Sequence, residues 1–139
     1  MMNVLIVDDE APARDRLRDL LNQLSDYQPC GEASNGADAL RLAEIASPDI
    51  VLLDIQMPGL DGLETARRLA ALARPPAVIF VTAYGDHALE ALDAQAVAYL
   101  LKPVRLERLE RALAHAGRLN RAQLASLTAD RSKIGRAHV

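Results

Sequence analysis

Apolar residues in this chain gather into five short runs, and between the runs their spacing lengthens to that of a helix. The least interrupted run is Ile50–Leu53, which is followed at once by Asp54. A run with no apolar–polar alternation suits a strand buried on both faces of a parallel sheet. Further strands are predicted over residues 3–7, 30–33, 77–81 and 97–101, the second being the weakest. Leu17, Leu20, Leu21 and Leu24 form one stripe on a helix over residues 11–24, with Pro12 in the first turn, where a missing N–H is tolerated. Ala39, Leu42, Ala43 and Ala46 line a second helix, stopped by Ser47-Pro48. A third helix is expected over about residues 60–73, with Leu63, Ala66 and Ala70 inward and Pro75-Pro76 beyond its end. Residues 85–94 give a short fourth helix whose stripe of Ala88, Ala91 and Leu92 is thin, so it should be held weakly. Leu106, Leu109, Leu113 and Ala116 carry a fifth.

Strand and helix therefore alternate five times, which implies an α/β fold: a parallel sheet with helices on both faces, joined by right-handed crossovers. The pattern holds over residues 1–118 as one domain. It dissolves over residues 119–139, which are expected to be a linker or tail.

Composition narrows the picture. Half of the 139 residues are hydrophobic, yet only 3% are aromatic and none is Trp, so the core must be built from Ala, Leu, Val and Ile. A net charge of −3 gives no basic field of the kind that grips a phosphate backbone, so direct nucleic-acid binding by this chain is not expected. Cys30 is the single cysteine and cannot close an internal disulfide. With no signal peptide and no apolar run of spanning length, a cytoplasmic location with no membrane contact is expected.

In a parallel sheet the residues just past each strand converge on one rim. Here they are Asp8 and Asp9 after the first strand, Asp54 at the third, Thr82 after the fourth and Lys102 after the fifth. Met57-Pro58-Gly59-Leu60-Asp61-Gly62 provides a tight turn that leaves Asp54 at the rim. Three crowded carboxylates repel one another unless a cation offsets them, and Mg²⁺ suits an oxygen-ligand site completed by a phosphate. A lysine and a hydroxyl facing it would bind the remaining phosphoryl oxygens, and Asp54, already ionised, would be the nucleophile. Singly, each residue has a plainer use: Asp8 or Asp9 as a helix cap, Thr82 in a turn, Lys102 as a solvated charge. Tyr99, within the fifth strand, reads as plain core. His87, His115 and His138 are too scattered for a metal site, and Arg14 to Arg18 read as a solvated face.

Taken together, Asp8-Asp9, Val51-Leu52-Leu53-Asp54-Ile55-Gln56-Met57-Pro58-Gly59, Thr82-Ala83 and Tyr99-Leu100-Leu101-Lys102-Pro103 resemble the receiver domain of bacterial two-component response regulators. Five separated motifs in the right order make the signal specific. The resemblance implies a flavodoxin-like (βα)₅ fold with strand order 2-1-3-4-5, and Asp54 as phosphoacceptor for a histidine kinase. It implies Mg²⁺ held by Asp9, Asp54 and the Gln56 backbone carbonyl, with Asp8 acting through water. Lys102 would contact the phosphoryl group, and Thr82 would couple it to a Tyr99 ring that moves between outward and inward positions. The Lys102-Pro103 bond would be cis, and Gln56 and Tyr84 would tune hydrolysis.

A narrower resemblance runs through Asp86-His87-Ala88-Leu89-Glu90-Ala91 and Ala98-Tyr99-Leu100-Leu101-Lys102-Pro103-Val104 to receivers that precede a LytTR-type DNA-binding domain, the alginate-biosynthesis regulators among them. DNA would then be met only through a C-terminal domain missing from this chain, and the expected role is a phosphorylation switch rather than a turnover enzyme. The family often dimerises through its fourth helix, fifth strand and fifth helix, which here would pair Arg108 and Arg111 with Glu90 or Asp93. Two alternatives stand beside this reading. A haloacid-dehalogenase-like phosphohydrolase also uses an aspartate after a strand, but places a second Asp where this chain has Gln56. A receiver-like interaction domain that is never phosphorylated would not need the five polar residues intact.

Overall fold

The strands alternate with helices as β1 (Met2–Val7), α1 (Ala11–Asn22), β2 (Tyr27–Ala33), α2 (Gly36–Ala46), β3 (Ile50–Leu53), α3 (Gly62–Ala70), β4 (Ala77–Thr82), α4 (Ala88–Asp93) and β5 (Ala98–Leu101). Residues 106–119 form the last helix among the described residues, α5. This computed structural model describes residues 1–83, 85 and 88–119. The sheet order is β2-β1-β3-β4-β5 and every neighbouring pair is parallel, giving the doubly wound flavodoxin-like arrangement.

Alternation along the strands divides the apolar residues between two cores. Val4, Ile6, Ile50, Leu52, Ile79 and Val81 face one side, covered by Leu17, Leu20 and Leu21 of α1 and Leu109, Leu113 and Ala116 of α5. Leu5, Val7, Val51, Leu53, Val78 and Phe80 face the other, covered by Ala39 and Ala43 of α2, Ala66 and Leu69 of α3, and Ala91 of α4. Because both faces are covered, every residue of β3 and β4 is buried, which is why those segments read as unbroken apolar runs. Each fully buried Leu, Ile or Val contributes about 1.5–3 kcal/mol, so this pair of cores dominates stability.

Element boundaries moved where local chemistry competes with periodicity. β2 begins at Tyr27, not residue 30: it lies at the sheet edge and pairs only with β1, so polar Gln28 and Glu32 are tolerated in it. Its register advances by one beside Val4 and Leu5, leaving Cys30 outside the pairing. α1 ends at Asn22, although Leu24 still enters the core. α3 starts at Gly62 rather than near residue 60, because the Asp61 side chain caps it by accepting from the Glu64 N–H at 2.8 Å. Its innermost residues are Thr65, Ala66 and Leu69, while Leu63 and Ala70 are half-buried. α4 is described over Ala88–Asp93, with Ala91 buried as expected; the side chains of Ala88, Leu89 and Leu92, and residues 84, 86, 87 and 120–139, lie outside the described residues. Among the described residues no helix is long and apolar enough to cross a membrane.

Candidate functional site

Sheet hydrogen bonding does not stop at the strand ends, and this positions the rim. The Asp8 N–H donates to the Ala33 carbonyl at 3.1 Å, the Asp54 N–H to the Val7 carbonyl at 3.0 Å, and the Lys102 N–H to the Thr82 carbonyl at 2.8 Å. Each acid or base is thus fixed to the ladder one residue beyond its strand. Gly62 completes the framework from the other side: a Cβ there would overlap the carbonyl oxygen of Asp54, and the Gly62 N–H donates to the Ile55 carbonyl at 2.7 Å. Only glycine lets the start of α3 come this close to the end of β3. Gly59 supplies the positive φ of 79° that the intervening loop needs.

The predicted residues meet. One carboxylate oxygen from each of Asp8, Asp9 and Asp54 lies within 4.8 Å of the others. Lys102 Nζ donates to Asp8 Oδ2 at 2.7 Å and reaches Asp54 Oδ2 at 3.4 Å. The buried Thr82 hydroxyl stands beside the Asp54 carboxylate and favours its charged form. Asp8, Asp54 and Thr82 are buried, whereas Asp9 faces solvent. Asp8 has a second task, since its Oδ1 accepts from the Glu10 N–H at 3.0 Å and shapes the entry to α1; Glu10 occupies the cap position without a side-chain cap bond. Gln56 is exposed two residues past Asp54. Half-buried Tyr99 lies on the α2–α4 side of the sheet, its ring centroid 6.5 Å from that of Phe80. The Lys102-Pro103 bond is cis, as the sequence resemblance implied. Tyr84 lies outside the described residues.

Electrostatics follow from the arrangement. Burial pushes the Asp54 carboxyl above the usual carboxylate range and the neighbouring Asp8 adds to this, while Lys102 and the Thr82 hydroxyl oppose it. Burial would depress the Lys102 ammonium, but the bond to Asp8 and the charge of Asp54 overcome it and hold the ammonium above its ordinary value. Three carboxylates face one ammonium, leaving two negative charges to offset, and an all-oxygen donor set of this kind fits a hard divalent cation.

Sequence reasoning missed what α1 does here. Arg14 Nη1 donates to the Asp8 carbonyl at 2.7 Å and Arg16 Nη2 to the Val104 carbonyl at 2.6 Å, while Arg18 pairs with Glu32 at 2.8 Å. Three arginines spaced two apart on a helix carried no sign of these partners, which come from other loops and strands.

Comparison with known proteins places this geometry. The profile of the family described as the response regulator receiver domain matches residues 4–114. The chain is 59% identical over 128 residues to the positive alginate biosynthesis regulatory protein of Pseudomonas aeruginosa, covering 91% of this chain and 52% of that protein. It is 40% identical over 121 residues to the sensory transduction protein LytT of Bacillus subtilis, covering 87% and 50% respectively. The chain thus spans about half the length of these curated relatives. Among solved structures, the response regulatory domain of protein mrkE from Klebsiella pneumoniae superposes with a TM-score of 0.78 at 33% identity, over 87% of this chain and 99% of that one.

Proposed function

We infer function from the premise that this chain belongs to the response regulator receiver domain family, and we propose that Asp54 accepts a phosphoryl group from a histidine kinase. The observation that carries the proposal is the placement of Lys102 Nζ against both Asp8 and Asp54 within a trio of carboxylates. In the reaction, an Asp54 carboxylate oxygen attacks the phosphorus of a phosphohistidine. A P–O bond forms, the P–N bond breaks, and the imidazole leaves with the electron pair. Asp54 needs no general base, because the attacking carboxylate is ionised.

Each neighbour has a part that its position supports. Asp9 and Asp54, with the Gln56 backbone carbonyl, would hold Mg²⁺, and Asp8 would act through water. Bound Mg²⁺ supplies neutralisation of the phosphoryl oxygens during transfer. Lys102, already between two carboxylates, is placed to turn to a phosphoryl oxygen. The Thr82 hydroxyl, beside the Asp54 carboxylate, would donate to the phosphoryl group, and the Tyr99 ring would follow it inward. α4, the shortest of the described helices, would shift with them and change the surface formed by α4, β5 and α5.

Through that surface the phosphorylated chain would form a homodimer. Exposed Arg108 and Arg111 of α5 would face exposed Glu90 and Asp93 of α4 on the second copy. As a cytoplasmic switch it would control transcription through a C-terminal DNA-binding domain of the LytTR type, with residues 1–118 as receiver and residues 119–139 leading toward that domain. The chain would assist its own phosphorylation and dephosphorylation without turning over a substrate. A haloacid-dehalogenase-like hydrolase is disfavoured, because Gln56 has no carboxyl proton to give a leaving group. A receiver never phosphorylated is disfavoured by the complete polar set.

The test is incubation with a small phosphodonor, with and without Mg²⁺, followed by intact mass. Gain of one phosphoryl mass in Mg²⁺ alone is expected, and none in Asp54→Asn. A variant that still gains it, or steady hydrolysis of free phosphoesters, would remove the assignment.

A further inference from the structure

Lys102 sits between two anchors. Its own N–H is tied to the Thr82 carbonyl, and two residues later the Val104 carbonyl is tied to Arg16, 88 residues away in sequence. The Val104 side chain is buried in the α1–α5 core, so the loop meets α1 through both its backbone and its side chain. The other end of the Lys102–Asp8 pair is braced from the same helix, where Arg14 donates to the Asp8 carbonyl and pairs with Glu32 at 3.5 Å. α1 therefore grips the backbone behind the acid and the backbone behind the base.

From this we propose that Arg16 is a positioning residue for phosphoryl transfer, acting through the 102–105 loop on Lys102, with Arg14 as the matching support behind Asp8. The inference rests on the reading of Asp54 and Lys102 given above. A guanidinium bonded to a carbonyl makes a short, charge-assisted contact with defined direction. Holding that carbonyl limits how far the Lys102 backbone can drift from the acid cluster. A displacement of about 1 Å at a reacting group can reduce rate on the order of 100-fold, so a partial loosening of this kind is visible in kinetics. Arg16 faces solvent on α1, so shortening its side chain opens no void in the core.

The experiment compares the whole chain with Arg16→Ala, Arg16→Lys, Lys102→Ala and the double variant Arg16→Ala/Lys102→Ala. Mg²⁺-dependent phosphorylation by a small phosphodonor is followed by intact mass, and amide hydrogen exchange is measured without Mg²⁺ or donor. Arg16→Ala should lower the maximal rate about tenfold, with half-saturating Mg²⁺ unchanged. Exchange should quicken over residues 104–106 and not in the core strands. Arg16→Lys, which keeps a charged donor, should recover most of the loss. The double variant should be no slower than Lys102→Ala, because Arg16 acts only through that lysine. A wild-type rate or unchanged loop exchange in Arg16→Ala, or a double variant slower than Lys102→Ala, overturns the positioning role. Wild-type reactivity of Lys102→Ala instead overturns the reading of the site beneath it.

Discussion

At the scale of single residues, Asp54 carries two opposed demands: it must be ionised to act as a nucleophile, yet it is buried beside another carboxylate. Its folded pKa is raised above the unfolded value, so this group favours the fold when protonated. That contribution is fully present below the unfolded carboxylate pKa and is lost as pH rises through the folded one. Asp54→Asn should therefore make the metal-free protein more stable at neutral pH by roughly 1 kcal/mol, and the advantage should shrink as pH falls through that window. Urea melts of both proteins across a pH series would decide it, a constant or reversed difference counting against it. Mg²⁺ should act oppositely, stabilising the wild type by about 2.7 kcal/mol at a hundredfold excess over Kd and Asp54→Asn by less. Thermal melts with and without the ion would measure this. The five polar residues of the rim were legible because they interrupt or terminate apolar strands. Arg14 and Arg16 were not, since a helix-surface arginine reads as solvated unless the distant carbonyl it meets is known.

Elements were legible in proportion to how much of them is buried. β3 and β4, covered on both faces, announce themselves; the polar, edge-lying start of β2 does not. The beginning of α3 was displaced because periodicity cannot tell a cap from a first turn, whereas Asp61 accepting from Glu64 N–H can. Asp61→Ala should cost about 1 kcal/mol, as loss of such a cap does. Gly62→Ala should cost more, on the order of 2–3 kcal/mol, because the new Cβ meets backbone rather than a side chain that could swing away. It should also impair phosphorylation, since what must yield is the carbonyl of Asp54. Chemical denaturation paired with the mass assay tests both, and a Gly62→Ala protein with wild-type stability would contradict the close approach.

In the whole molecule, α1 and α5 cover one face while α2, α3 and α4 cover the other, and the acid cluster sits at the carboxyl ends between them. The alternation of strands with helices made a sheet covered on both faces foreseeable, and which helices share a core follows from the strand order 2-1-3-4-5 that only the family resemblance implied and that the sheet has. β5 carries Leu100, which lines a shallow surface hollow with Arg108 and Arg111 of α5, and ends on Leu101, which is 53% exposed. Arg111→Glu should weaken self-association of the phosphorylated chain several-fold while leaving phosphorylation itself intact, a result that analytical ultracentrifugation would register. Unchanged association would remove that surface from the proposal. The irregular register of β2 bears on a different risk. An outermost strand offers unsatisfied backbone groups to any passing chain, and regular spacing is what a growing fibril copies. Pro29 withholds a donor and the skipped Cys30 breaks the spacing, so the opening margin of the sheet is a poor template and polymerisation by strand addition is discouraged there.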